Sequence, residues 1–362
     1  MAEQGVIAQG KWWEWGEDGF LELSTMKKAV RTDRELECPR VDAGLRSRGV
    51  NLVTLPEGIG EDALAREVAD ADLLLMCYTP VTARVIEAAG KLRGIVKYGV
   101  GIDAIDVEAA RRRGVPVVNV PEYAEETVAE GAFALMIGLA RKLGALHCEM
   151  QSEGWAWPTP RWMGQDLAGK TLGLVGVGRI GRSLARMAGL GFRMRVLGYD
   201  PYVDEETMRR AGVEKVAELG GILERSDFVS LHTVLNSETR HLIGRQQLAR
   251  MKRSGVLINV SRGALVDEVA LVEALVEGRI AGAGLDVFSQ EPVTREGHPM
   301  SALYSMPQVL MTPHLTFYTQ EAMDRLEEET LARCDELLEG RPVLVKSHDP
   351  RLRAQERGVV FG

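Results

Sequence analysis

Cysteine is scarce in this chain, and the four present are far apart: Cys38, Cys77, Cys148 and Cys334 form no CxxC pair and have no histidine at ligand spacing. That excludes a disulfide scaffold and a cysteine-built metal centre, and it predicts reduced thiols of the kind a cytoplasmic protein carries. Long apolar runs are lacking too. The best candidate, Gly131 to Ala140 (GAFALMIGLA), is far shorter than the roughly 18 residues that cross a bilayer and reads as a buried helix. The opening residues MAEQGVIAQGKWWEWG have no basic stretch followed by an apolar core, so no secretory signal is expected. There is no surplus of positive charge: 44 Lys and Arg against 52 Asp and Glu leave a formal charge of −8. A general electrostatic grip on nucleic acid or anionic membrane is therefore not expected. No 20–50-residue repeat or low-complexity tract appears.

What the chain does have is length and alternation. Its 362 residues suffice for two domains. Short apolar runs alternate with helical patterns throughout: GVIAQ, VNLVTL, ADLLLM, RGIVKY and VPVVNV first, then TLGLVG, RMRVLGYD, DFVSLH, GVLINV, AGAGLDV and QVLMT. Apolar strands separated by helices imply parallel sheets covered on both faces. The series runs twice, so the expected fold is α/β with two doubly wound parallel-sheet domains. The seam falls near residue 122, where NVPEY leads into a long helix, AEETVAEGAFALMIGLARKL, acidic at its start and basic at its end as the helix dipole favours. A second long helix, TQEAMDRLEEETLARCDELLEG, would return the chain to the first domain. The expected division is residues 1–122 with 316–362, and residues 123–315.

Gly176, Gly178 and Gly181 stand in GxGxxG spacing between a strand and a helix that opens at Arg179 and Ile180. A second strand ends in Asp200, about 20 residues on. Gly176 permits the tight turn, Gly178 lets backbone approach a pyrophosphate, and Gly181 lets the helix pack on its strand. Asp200 would accept from ribose hydroxyls and repel a 2′-phosphate, favouring NAD over NADP. His232, which also ends a strand, is expected to line the cofactor crevice with Thr233, Thr239 and Val260.

Three later strand ends carry reactive side chains: Arg262 after GVLINV, Asp286 and Glu291 in GAGLDVFSQEP, and His314 in QVLMTPH. Ligands bind at the carboxyl ends of such strands. Arg262 can fork onto a carboxylate. His314 is placed to move a proton, with Glu291 as the carboxylate that holds its charged form. His147, His241, His298 and His348 have no such context and are expected at the surface.

GVGRIGRSLA with GYDP, LHTVLNSETRHLIG, MKRSGVLINVSRGALVDEVAL, GAGLDVFSQEP and MTPH resemble, in order, the signatures of the D-isomer-specific 2-hydroxyacid dehydrogenases. The N-terminal half agrees through YGVGIDAIDVEAARRRGVPVVNVPEYAEETVAEGA. The resemblance implies a Rossmann NAD domain, a flavodoxin-like substrate domain and a cleft between them, with NADH as cofactor and a small 2-oxo or 2-hydroxy acid as substrate. It implies that Arg262 binds the substrate carboxylate, that His314 is general acid and base paired with Glu291, and that Asp286 holds the nicotinamide carboxamide. Val100 and Gly101 would hold the carboxylate through backbone N–H groups, and Tyr78, Tyr123 and Phe317 would shape the pocket. A homodimer is implied through the helix starting near Ala124 and the arm from Trp155 to Trp162. Val234 stands where the family commonly has proline. Met76 and Tyr78 replace the phosphate-binding arginines of phosphoglycerate dehydrogenases, and the regulatory domain of that branch is not expected; the aromatic positions resemble D-lactate dehydrogenases. The alternative is an NAD-sensing scaffold without turnover. The segment KWWEWGEDGFLELSTMKKAVRTDREL is longer than the family's usual connection; its three tryptophans could cap the substrate cleft, form a satellite core or make an oligomer contact, and the structural reading is favoured because clustered tryptophans usually bury against something.

Overall fold

The computed structural model describes residues 26–362. The GVIAQ strand and the tryptophans of residues 12–15 lie outside that range. Five parallel strands form the first sheet: β1 (Lys28–Arg31), β2 (Asn51–Thr54), β3 (Leu73–Met76), β4 (Gly94–Lys97) and β5 (Val117–Asn119). Their order is β2-β1-β3-β4-β5, the flavodoxin-like winding. Helices α1 (Pro39–Ser47), α2 (Glu61–Val68), α3 (Ala83–Ala88) and α4 (Val107–Arg113) alternate with them. The strand KAVR, β1, corrects the sequence reading, because it falls inside the supposed insertion. Two of its four residues, Lys28 and Arg31, are charged. Yet it pairs with β2 and β3 on both sides, and its Arg31 is buried because Asp42 accepts from Nε at 2.8 Å and from Nη2 at 3.0 Å.

Helix α5 (Glu125–Ala140) leads out of this unit and buries Ala132, Leu135 and Met136. It ends earlier than the sequence pattern indicates. Lys142 takes a left-handed conformation (φ 54) and starts a separate helix, α6 (Leu143–Glu153), in which no residue is buried. An arm with exposed Trp155 and Trp157 follows.

The second sheet has seven parallel strands: β6 (Thr171–Val175), β7 (Arg195–Tyr199), β8 (Glu214–Lys215), β9 (Phe228–Leu231), β10 (Val256–Asn259), β11 (Gly282–Leu285) and β12 (Val309–Met311). The order β12-β11-β10-β9-β6-β7-β8 is the Rossmann winding extended by one strand. Its helices are α7 (Arg179–Arg186), α8 (Glu205–Arg210), α9 (Leu219–Arg225), α10 (Arg245–Arg250) and α11 (Glu268–Val276). Strands β9, β10 and β11 are buried along their whole length, as a sheet covered on both faces requires.

Helix α12 (Gln320–Leu338) then returns to the first sheet and packs on α1 and β4. Its buried Glu327 accepts the Arg40 and Val41 N–H groups at 2.7 and 3.0 Å, satisfying donors that α1 leaves open at its start. The chain ends in a small pair, β13 (Val343–Val345) and β14 (Val359–Phe361), flanking α13 (Pro350–Arg353). Gln355 imitates a further strand beside β5: its amide accepts the Val117 N–H at 2.7 Å and donates to the Val117 carbonyl at 2.9 Å. The result is two doubly wound parallel-sheet units with a cleft between them. Among the described residues no helix is long and apolar enough to cross a membrane.

Candidate functional site

The glycine turn after β6 is built for close approach. Gly176 has φ 93, and a Cβ there would lie 2.7 Å from the His232 carbonyl. A Cβ on Gly181 would lie 2.5 Å from the Gly176 oxygen. Gly178 is different: a Cβ there would meet no protein atom within 4 Å, so no packing within the chain demands glycine. No side chain caps α7, leaving its first N–H groups directed outward beside Gly178. An open glycine face on an uncapped helix start is a cradle for phosphate. Asp200 is tied to the same turn, accepting the Val177 N–H at 2.9 Å and the Tyr202 N–H at 2.9 Å.

Around this turn, Arg179 pairs with Glu122 at 3.2 Å and Glu125 at 3.1 Å, and Ile180 packs onto the hydrophobic core beneath. The His232 Nε2 meets Ser230 Oγ at 2.8 Å, while its Nδ1 is buried without a protein partner. Burial depresses the His232 pKa to about 4, so its ring is neutral at pH 7. Thr239 orders the loop after it, donating to the Val234 carbonyl at 2.7 Å and accepting the Asn236 N–H at 2.8 Å. Ser261 Oγ donates to the Thr233 carbonyl at 2.6 Å, joining that loop to the end of β10 next to buried Val260.

Three sequence-predicted side chains converge at the ends of β10, β11 and β12. Glu291 Oε2 is 2.9 Å from His314 Nδ1, and Oε1 accepts the Phe288 N–H at 2.9 Å. Burial disfavours the charged form of Glu291, but the His314 hydrogen bond and charge, the Phe288 N–H and the Arg262 charge outweigh it, leaving its pKa below the ordinary value. The ring of Tyr78 stands edge-on to His314, centroids 5.5 Å apart. Phe317 stands edge-on at 6.4 Å and packs in turn on Tyr123 at 6.1 Å. His314 is therefore walled by aromatic rings, and Tyr78, Tyr123 and Phe317 all pack with the core of the first unit.

Arg262 reaches toward the first unit. Its Nη1 donates to the Ser261 carbonyl at 2.7 Å and its Nε to Asp103 Oδ2 at 2.8 Å. Its Nη2 lies 1.4 Å from where a Cβ on Gly101 would be, so only glycine leaves room for the guanidinium. The Val100 carbonyl is pinned by Asn119 Nδ2 at 2.6 Å. Among the described residues, neither the Val100 nor the Gly101 N–H has a protein acceptor.

Asp286 is the residue expected to hold a nicotinamide carboxamide. It is wholly buried. Its Oδ1 accepts from Thr312 Oγ1 at 2.5 Å and the Leu315 N–H at 2.9 Å; Oδ2 accepts the Thr316 N–H at 3.1 Å and Oγ1 at 2.6 Å. These four donors, from residues 312, 315 and 316, tie the turn that presents His314. His298, expected at the surface, is a correction. It is buried, with Nε2 at 3.0 Å from the Gln290 carbonyl and Nδ1 accepting the Met300 N–H at 3.0 Å, and it orders the loop after Glu291. Asp103 went unnoticed in the sequence. The signal was there, since an arginine at a strand end needs a carboxylate and Asp103 sits two residues beyond Gly101.

The family profile "D-isomer specific 2-hydroxyacid dehydrogenase, NAD binding domain" matches residues 133–316. That span takes in the glycine turn, Asp200, Arg262, Glu291 and His314. A glyoxylate reductase of Korarchaeum cryptofilum is 45% identical over 268 residues, 73% of this chain and 79% of the relative. The chain belongs to the D-isomer-specific 2-hydroxyacid dehydrogenase family. It is an NAD-dependent dehydrogenase. A D-3-phosphoglycerate dehydrogenase of Methanocaldococcus jannaschii is 41% identical over 75% of this chain, a match spanning only 51% of that relative's length. Among solved structures, the D-lactate dehydrogenase of Aquifex aeolicus complexed with NAD and lactic acid superposes with a TM-score of 0.77 at 28% identity, over 86% of this chain and 96% of the other. The open face at Gly178, the uncapped start of α7 and the unpartnered Nδ1 of His232 are features that the dinucleotide of such a dehydrogenase fits.

Proposed function

We propose that this dehydrogenase interconverts a small 2-oxo acid and its D-2-hydroxy acid, with His314 and Glu291 as the acid–base pair and Arg262 on the substrate carboxylate. The observation that carries this is the His314–Glu291 bond at 2.9 Å, enclosed by Tyr78 and Phe317. NAD supplies or accepts the hydride when bound. The bond to Glu291 engages Nδ1 of His314, so Nε2 gives its proton to the 2-oxo oxygen in reduction and recovers it in oxidation. Glu291 remains charged beside it and holds the ring by its Nδ1. Arg262 Nη2 and the Val100 and Gly101 N–H groups grip the carboxylate from opposite sides of the cleft.

In this reading residues 123–315 are the NAD-binding domain, and residues 1–122 with 316–362 the substrate domain. Gly176, Gly178, Arg179, Ile180 and Gly181 cradle the pyrophosphate, Asp200 takes the ribose, and His232, Thr233, Thr239 and Val260 line the crevice. Tyr78, Tyr123 and Phe317 favour a small uncharged group on the substrate. Met76 is buried in β3, and the nearby cation Lys97 is buried and bonded to the Cys77 carbonyl at 2.6 Å, which argues against phosphoglycerate. The names of the relatives, glyoxylate reductase and D-lactate dehydrogenase, support the same substrate class. The exposed face of α6, Trp155 and Trp157 supports a homodimer, and the free thiols a cytoplasmic location.

The test is NADH oxidation by the purified protein across glyoxylate, hydroxypyruvate, pyruvate, larger 2-oxo acids and 3-phosphohydroxypyruvate. Fast turnover on a small uncharged oxo acid is expected. Preference for the phosphorylated acid, or no turnover on any, contradicts the reading.

A further inference from the structure

Arg262 and Asp103 meet across the cleft, one from the end of β10 and the other from the loop after β4. Among the described residues, their contact is the one ion pair and the one hydrogen bond joining residues 28–119 to residues 171–311. Both side chains are about two-thirds covered, so the pair is less screened than one on open surface. A guanidinium has five N–H donors in a fixed plane. In Arg262 the Nε–H is taken by Asp103 and one Nη1–H by the Ser261 carbonyl. Three donors remain, and two of them are on Nη2, the nitrogen pressed against Gly101.

The bond to Asp103 thus decides which edge of the fork is free. Without it, Nε–H would compete for the substrate carboxylate, and rotation of the planar group would carry Nη2 off the Val100–Gly101 loop. Asp103 is itself held from behind, because Arg351 Nη2 of α13 lies 3.6 Å from its Oδ1. Arg351 is fixed in turn by Asp349 at 2.8 Å.

We propose that Asp103 is a positioning residue for the dehydrogenase reaction: it clasps Arg262 across the cleft and turns the Nη edge of the guanidinium toward the substrate carboxylate, so that the binding fork is complete only with the two domains together. This rests on the reading of Arg262 as the carboxylate ligand. Asp103 touches neither substrate nor cofactor in this account, and it acts through Arg262 alone.

The experiment is a double-mutant cycle on the full-length protein, using the oxo acid of highest turnover and measuring kcat, KM and the NADH dissociation constant. Asp103→Ala is expected to lower kcat/KM about 10–100-fold, the range for losing a bond to a charged group, with NADH affinity unchanged. Asp103→Asn keeps an oxygen for Nε and should recover part of the loss. In an Arg262→Lys background, where no Nε–H fork remains to be aimed, Asp103→Ala should cost less than threefold. Asp103→Ser serves the same comparison if the alanine variant does not fold. Wild-type kcat/KM in Asp103→Ala, or an equal fall in both backgrounds, overturns the proposal. Arg262→Ala separates the two ideas: an unchanged Arg262→Ala sinks the carboxylate reading, whereas a crippled Arg262→Ala beside an unaffected Asp103→Ala sinks only the clasp.

Discussion

The main-chain N–H of His314 donates to the Asp286 carbonyl at 2.7 Å, and the Asp286 carboxylate takes four more bonds from the turn on either side of that histidine. His314 itself sits at φ 58, a left-handed conformation that costs a non-glycine residue on the order of 1–3 kcal/mol. Asp286 supplies the hydrogen bonds that hold it there.

Asp286→Asn should therefore loosen that turn. An amide nitrogen cannot accept, so at least one buried donor from Thr312, Leu315 or Thr316 loses its partner, at about 1–3 kcal/mol. Denaturant unfolding is expected to show that loss, and turnover should fall along with it. A variant of native stability and native turnover would show that the carboxylate does not hold the turn.

Glu291→Gln keeps the shape of the pair and removes its charge. Turnover in the reductive direction should fall about 10–100-fold at pH 7.5, because His314 loses the charged partner bound to its Nδ1. The sign in acid follows from the depressed pKa of Glu291. A carboxylate that gives up its charge less readily when folded stabilises the protein above its unfolded pKa, near 4.5, and that contribution disappears as pH falls through the folded value. Thermal unfolding between pH 5 and 3 should fall less steeply in the glutamine variant than in the wild type. Parallel curves would deny the charge any role in the fold.

His232 makes the complementary prediction. Its folded pKa, about 4, lies below its ordinary 6.5 through burial, so the unfolded chain binds the extra proton between those values. Stability is full above pH 6.5 and declines as pH drops toward 4, by up to about 3 kcal/mol. His232→Gln should flatten that window in urea titrations. An unchanged slope would mean that the ring is solvated.

Much of this was legible in the sequence, and the parts that were not have physical reasons. Buried strands such as LLLM and VLIN read plainly because parallel sheets hide both faces. The glycine turn read plainly because Gly176 and Gly181 are demanded by close backbone approach and Gly178 leaves an open face beside them. The strand KAVR did not, since Arg31 is buried only through Asp42, a partner 11 residues away that no periodicity displays. The family resemblance implies a cofactor role for Asp286, but nothing in the sequence displays its hold on the turn around His314. Its saturation by backbone and threonine donors is tertiary. Asp103 and Arg262 are 159 residues apart, and their meeting depends on how two domains face each other. The pair β13 and β14 consists of three-residue strands stabilised by neighbours rather than by pattern.

The central claim is that His314 moves the proton. Single-turnover oxidation of NADH by the wild type and by His314→Ala, with NADH affinity measured alongside, tests it most directly. The expected result is a fall of about two to four orders of magnitude in the chemical step with the dissociation constant unchanged. A variant that transfers hydride at the wild-type rate would contradict it.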